Sequence, residues 1–98
     1  MLVLLLAACG LTEDNFPQRR AEVYCPRYLE CAPQDTLDAL GVATVDDCVA
    51  LQTSGQATTE DCVFDARAAQ DCLDVIEEVS CEDLVAQQNM PACLLVCG

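Results

Sequence analysis

The chain contains no lysine, no histidine and no tryptophan, and its aromatic side chains are limited to Phe16, Phe64, Tyr24 and Tyr28. Without histidine it lacks the commonest general base and the commonest metal-ligating side chain. Ser54, Ser80 and the threonines therefore have neither His nor Lys to activate a hydroxyl nucleophile. Cations are scarce: four arginines stand against 17 acidic residues, a net charge of −13. Such a chain cannot neutralise phosphates, which excludes nucleic acid as a partner, and it is repelled by anionic headgroups. Large apolar side chains are also few, because much of the 53 % hydrophobic content is Ala and Cys. A chain of 98 residues forms one domain with a core of marginal stability.

Cysteine is what the sequence has in excess. Nine of them exceed the level at which a short chain reads as a disulfide scaffold, and reducing cytosol would not sustain such bonds. An odd count leaves one thiol to be explained. Residues Leu2 to Ala8 form an unbroken apolar run, too short to cross a bilayer but suited to the apolar region of a signal peptide. It ends in Leu6-Ala7-Ala8-Cys9, which resembles the lipobox of bacterial lipoproteins. That resemblance implies cleavage before Cys9, a diacylglyceryl group on its thiol and acylation of its new amine. Two or more acyl chains hold a protein stably on a membrane where one does not. Only Met1 precedes the apolar run, so the signal peptide is expected to be truncated at its start. Gly10 carries no acidic inner-membrane retention signal of the enterobacterial type, so the expected location is the cell envelope, at the outer membrane. The expected organisation is a signal peptide over 1–8, a lipidated tether over 9–15 and a Cys-rich helical domain over 16–98.

Helical spacing dominates the domain. Asn15-Phe16-Pro17 reads as a helix start, and Phe16, Val23, Tyr24, Tyr28 and Cys31 recur with helical period. Pro26 is expected to kink or break this helix, and Pro33 to end it. Three segments open with Ser or Thr followed three residues later by Asp, the signature of a capped helix start: Thr44 with Asp47, Thr58 with Asp61, and Ser80 with Asp83. The stretch Thr44 to Val49 is echoed by Thr58 to Val63, which suggests two similar helix starts, each presenting a cysteine inward. Ala66 to Val79, capped by Asp65, is the strongest amphipathic segment: Ala69, Cys72, Leu73, Ile76 and Val79 share one face. A short helix from Ser80 through Gln88 follows, then a turn or two over Ala92 to Cys97 after Pro91. Nothing alternates with period two for long enough to indicate a sheet. The expected fold is all-α, a small disulfide-stapled bundle of four to five short helices.

Besides Cys9, the candidate disulfide partners are Cys25, Cys31, Cys48, Cys62, Cys72, Cys81, Cys93 and Cys97. No Cys-x-x-Cys occurs, so neither a thioredoxin-type motif nor a zinc ribbon is indicated, and no metal or other cofactor is expected. Eight cysteines allow 105 pairings. Cys25 and Cys31 on one helix stand about 9 Å apart along its axis, too far to bond each other. Cys31 with Cys48, and Cys81 with Cys93 or Cys97, are the expected staples. Cys93 and Cys97 are expected to share a face and reach partners on a neighbouring helix.

The stretch Cys25-Pro-Arg-Tyr-Leu-Glu-Cys31, the Thr44-x-x-x-Cys48 start, Val63-Phe64-Asp65 leading into Ala68-Ala69-Gln70-Asp71-Cys72-Leu73, Ser80-Cys81 and Pro91-Ala92-Cys93 together resemble uncharacterised Cys-rich lipoproteins of myxobacteria and related deltaproteobacteria. Arginine in the absence of lysine suits a GC-rich genome. The resemblance implies a helical, surface-attached module, brings no catalytic residues, and suggests that further chain follows Gly98. The functional expectation is a non-enzymatic envelope protein, tethered to the membrane through lipid on Cys9 and serving structure or contact with an unidentified protein partner. The alternative is a divalent-cation-binding module built on Asp74, Glu77 and Glu78, or on the pairs Asp46–Asp47 and Glu60–Asp61, although no Asp-x-Asp-x-Asp-Gly loop is present. Arg19, Arg20 and Arg27 lie near one side of the first helix, where they can pair with carboxylates or meet an anionic partner.

Overall fold

The computed structural model describes residues 10–54 and 62–97. The expected signal peptide over 1–8, Cys9, the expected Thr58–Asp61 cap and the Glu60–Asp61 pair lie outside the described residues. Five helices and a final single turn follow one another: α1 Phe16–Cys31, α2 Gln34–Leu40, α3 Val45–Ser54, α4 Ala66–Glu78, α5 Cys81–Ala86 and the turn α6 Pro91–Leu94. No strand forms among the described residues. Their one β pairing is an isolated antiparallel bridge between Phe64 and Cys97, reinforced by the Asp65 amide donating to the Val96 carbonyl at 2.8 Å. The architecture is the expected all-α, disulfide-stapled one.

The helix ends show why the chain breaks where it does. Before α1, Thr12 and Asn15 cap each other: the Thr12 amide donates to Asn15 Oδ1 at 2.8 Å, and the Asn15 amide to Thr12 Oγ1 at 3.2 Å. Asn15 Nδ2 also donates to the Gly10 carbonyl, and Leu11 packs against the core. From Gly10 onward the segment expected as the lipidated tether is hydrogen-bonded to the start of α1 and touches the core. Pro26 does not break α1, which runs through it to Cys31. Glu22, whose carbonyl loses its usual donor, is exposed, and water can take that place. Pro33 does end the segment, but it also starts α2, a helix absent from the expectations. That helix closes with a Schellman turn: Gly41 adopts φ +73°, its amide reaches Asp38, and the Val42 amide reaches the Leu37 carbonyl at 3.0 Å. Leu37 and Val42 are both buried, supplying the hydrophobic contact of that motif.

The Thr44–Asp47 box at α3 forms as expected. The Asp47 amide donates to Thr44 Oγ1 at 3.1 Å, while the Ala43 and Thr44 amides donate to Asp47 Oδ2 at 3.0 and 3.1 Å. Asp65 caps α4 by accepting from the Ala68 amide at 3.0 Å, and Ser80 caps α5 by accepting from the Asp83 amide at 3.2 Å. The echo of Thr44–Val49 fails at its end: Cys62 and Val63 precede α4 in non-helical conformation. Phe64 is committed to its bridge and Asp65 to capping, so helix begins only at Ala66. Beyond α5, Gln87 takes a left-handed conformation at φ 56°, and its amide and that of Gln88 close the helix on Leu84 and Asp83. The helix expected to reach Gln88 therefore stops at Ala86.

At the centre stands α1, which packs on α3, α4 and α5, while α6 packs on α4. The largest fully buried side chains are Ile76, Leu84, Cys25 and Cys72. Two of those four are half-cystines, so sulfur fills volume that a larger chain would give to leucine or phenylalanine. In a loop-entropy account, closing segments of 21 to 50 residues contributes about 3–4 kcal/mol per bond. Reduction in non-denaturing buffer is therefore expected to abolish the 222 nm ellipticity and expose the chain to protease; a helical, protease-resistant reduced protein would contradict this.

Candidate functional site

Eight cysteines form four disulfides among the described residues. Cys25 bonds Cys48 with a Cα–Cα distance of 5.7 Å, Cys31 bonds Cys81 at 5.1 Å, Cys72 bonds Cys93 at 4.6 Å, and Cys62 bonds Cys97 at 4.7 Å. These separations suit the bond. The expected Cys31–Cys48 staple does not form. The intervening α2 carries the chain back so that α3 lies against the middle of α1, and Cys48 meets Cys25. Cys31 is left at the end of α1, facing Cys81 at the start of α5. The expected bond from Cys81 to Cys93 or Cys97 fails for a related reason: the last turn packs on α4, not on α5. Cys93 reaches Cys72 within α4, and Cys97, beyond the end of α6, reaches Cys62 just ahead of α4. With all eight oxidised, none presents a thiolate for metal binding or nucleophilic attack.

Several carboxylates accept hydrogen bonds at helix starts and along exposed turns, among them Asp47, Asp65, Asp74 and Asp83. Asp74 accepts from Gln70 Nε2 at 3.1 Å, Glu22 from Gln18 at 3.0 Å and Asp38 from Gln34 at 2.9 Å, each pair one turn apart. Asp74, Glu77 and Glu78 all lie on the solvent side of α4. Among the described residues, no three carboxylates or cysteines come together as a candidate metal-binding group. Asp47, half of the Asp46–Asp47 pair, turns its carboxylate onto backbone amides.

The arginines separate. Arg27 is half-buried and donates through Nη1 to the carbonyls of Ile76 and Val79, at 2.8 and 2.6 Å. Those carbonyls belong to the C-terminal end of α4, where the helix dipole is negative and the last carbonyls lack intrahelical donors. Arg27 is thus a structural clamp between α1 and α4, set apart from Arg19 and Arg20. No sequence signal could have found this, because its acceptors are backbone atoms some fifty positions away.

Arg20 instead borders an open depression of about 560 Å³, whose walls include Tyr24, Ile76, Gln87, Met90 and Leu94. The side chain of Gln87 hydrogen-bonds the Tyr24 hydroxyl, which burial pushes above its ordinary pKa. Cys93, also in the wall, is held in its disulfide. The depression offers apolar contact and a guanidinium, and no paired acid and base.

Two carboxyls are held below their usual range. For Asp47 the cause is the amides of Ala43 and Thr44; for Asp83 it is the side chains of Gln88 and Asn89. A depressed folded pKa contributes stability above the unfolded pKa and loses it as pH falls through the folded value. The wider chain behaves oppositely, since protonation towards the isoelectric point of about 4.1 relieves self-repulsion. The clean readout is therefore a difference: wild type is expected to melt above Asp47→Asn at neutral pH, with the gap closing in acid. A gap independent of pH would contradict the assignment.

No family model, curated protein or solved structure matches the chain.

Proposed function

We propose that this is a non-enzymatic lipoprotein of the bacterial envelope, carried at the outer membrane by acyl chains on Cys9. Its disulfide-stapled domain serves structure or protein contact there. The observation that carries this reading is the closure of the cysteine count. Eight cysteines pair with one another, so Cys9, the one that follows Leu6-Ala7-Ala8, has no intrachain partner left. A lipobox cysteine is consumed by its lipid, and its seven-residue apolar leader suits export to a compartment where disulfides persist. The motif likeness to Cys-rich lipoproteins of myxobacteria points the same way. Among the described residues no helix is long and apolar enough to cross a membrane.

The divalent-cation reading has less behind it: of the carboxylates named for it, Asp74, Glu77 and Glu78 lie on an exposed helix face and Asp47 is turned onto backbone amides. The depression beside Arg20 offers apolar surface flanked by one cation.

Intact mass of the protein extracted from membranes, with and without alkylation under denaturing conditions, tests the assignment. Wild type is expected to begin at Cys9, to carry acyl mass and to take up no alkylating reagent. Cys9→Ser is expected to lose the acyl mass completely while keeping its four disulfides. An unacylated wild-type chain with nine alkylatable thiols would refute the proposal.

A further inference from the structure

Among the described residues, the three most exposed large apolar side chains are Leu94, Val63 and Leu95, at 84, 71 and 59 % of their full accessibility. All three flank the Phe64–Cys97 bridge: Val63 precedes Phe64, and Leu94 and Leu95 precede Val96. Phe64 in turn packs on Phe16, with ring centroids 6.0 Å apart, and Leu94 lines the depression together with Arg20 and Tyr24. The exposed apolar groups therefore lie beside the first half of α1. That is also where the described chain starts. Gly10 is tied to Asn15, and Leu11 packs on the core, so Cys9 is one peptide bond from a fixed point on the domain.

We propose that the domain rests directly on the bilayer, with Val63, Leu94 and Leu95 entering the headgroup boundary of a zwitterionic lipid surface. This rests on the lipid-anchor reading above. An acyl group on Cys9 has no slack, because the segment that would have supplied it is folded. Whatever surface the acyl chains enter must lie against the end of the molecule from which Gly10 emerges. Apolar side chains at that end lose contact with water when it does.

Charge is arranged to permit this. In residues 10–20, 62–67 and 91–97, the arginines Arg19, Arg20 and Arg67 equal in number the acids Glu13, Asp14 and Asp65. The net charge of −13 therefore falls on the rest of the chain. Arginine beside apolar side chains is suited to an interface, its stem lying on apolar surface and its guanidinium in the headgroup layer. The remaining acids, among them the exposed Asp71, Asp74, Glu77 and Glu78 of α4, lie outside these three segments.

The test is hydroxyl-radical footprinting of the full acylated protein in phosphatidylcholine vesicles, read by mass spectrometry, against Cys9→Ser in buffer. The acyl mass is measured on the same sample. Labelling of Val63, Leu94 and Leu95 is expected to fall several-fold in vesicles, while Leu40 and Leu51, exposed on α2 and α3, label equally in both states. Unchanged labelling on acylated protein overturns this inference and leaves the anchor standing. Absence of acyl mass removes the anchor and the inference with it. Protection that develops in buffer as protein concentration rises means a second copy covers the patch, which also overturns it.

Discussion

Helices of six to sixteen residues are too short to persist in water on their own, and this chain has few large side chains with which to pack them. What makes them cohere is covalent. Each disulfide lies where two parts of the fold meet: α1 with α3, α1 with α5, α4 with α6, and the segment before α4 with the one after α6. The bonds constrain the unfolded chain and at the same time occupy the interior, since Cys25 and Cys72 are among its most deeply buried groups. The contact between α1 and α4 is the large one without a sulfur bridge. There Arg27 takes over, binding the end of α4 through two carbonyls, with Phe16 and Phe64 meeting at the other end. The domain is two stapled groups of helices clasped along α1.

The same economy explains the charge. Many of the carboxylates have local employment at helix starts: Asp47, Asp65 and Asp83 stand in the first turn or at the cap, where amides point outward and the dipole favours an anion. Others pair with a glutamine one turn away. A net charge of −13 favours solubility through repulsion between copies.

Much of this was legible in the sequence because helix caps are local. Thr44 with Asp47, Asp65 before Ala66 and Ser80 with Asp83 each fix a boundary through atoms three residues apart, and the face of α4 follows from its period. The misreadings share the opposite property. Disulfide partners lie 21 to 50 residues apart, and their choice depends on α2, a seven-residue helix between Pro33 and Gly41 with too little apolar periodicity to mark it. Pro26 could remain in a helix only because its side of α1 faces water, which is a tertiary fact. Cys62 and the clamp of Arg27 likewise depend on what packs nearby. For the proposed site the division is similar: the Leu6–Cys9 tetrad that resembles a lipobox is contiguous, whereas the exposed Val63, Leu94 and Leu95 belong to segments that meet only after folding.

If short helices are held together by this particular set of crosslinks, the connectivity itself is the decisive quantity. Peptic digestion of the unreduced protein at acid pH, where disulfides do not exchange, followed by mass analysis of linked peptides, reads it directly. The account predicts peptides joining Cys25 to Cys48, Cys31 to Cys81, Cys62 to Cys97 and Cys72 to Cys93. Linkage of Cys31 to Cys48, or free thiols at any of the eight positions, would contradict it.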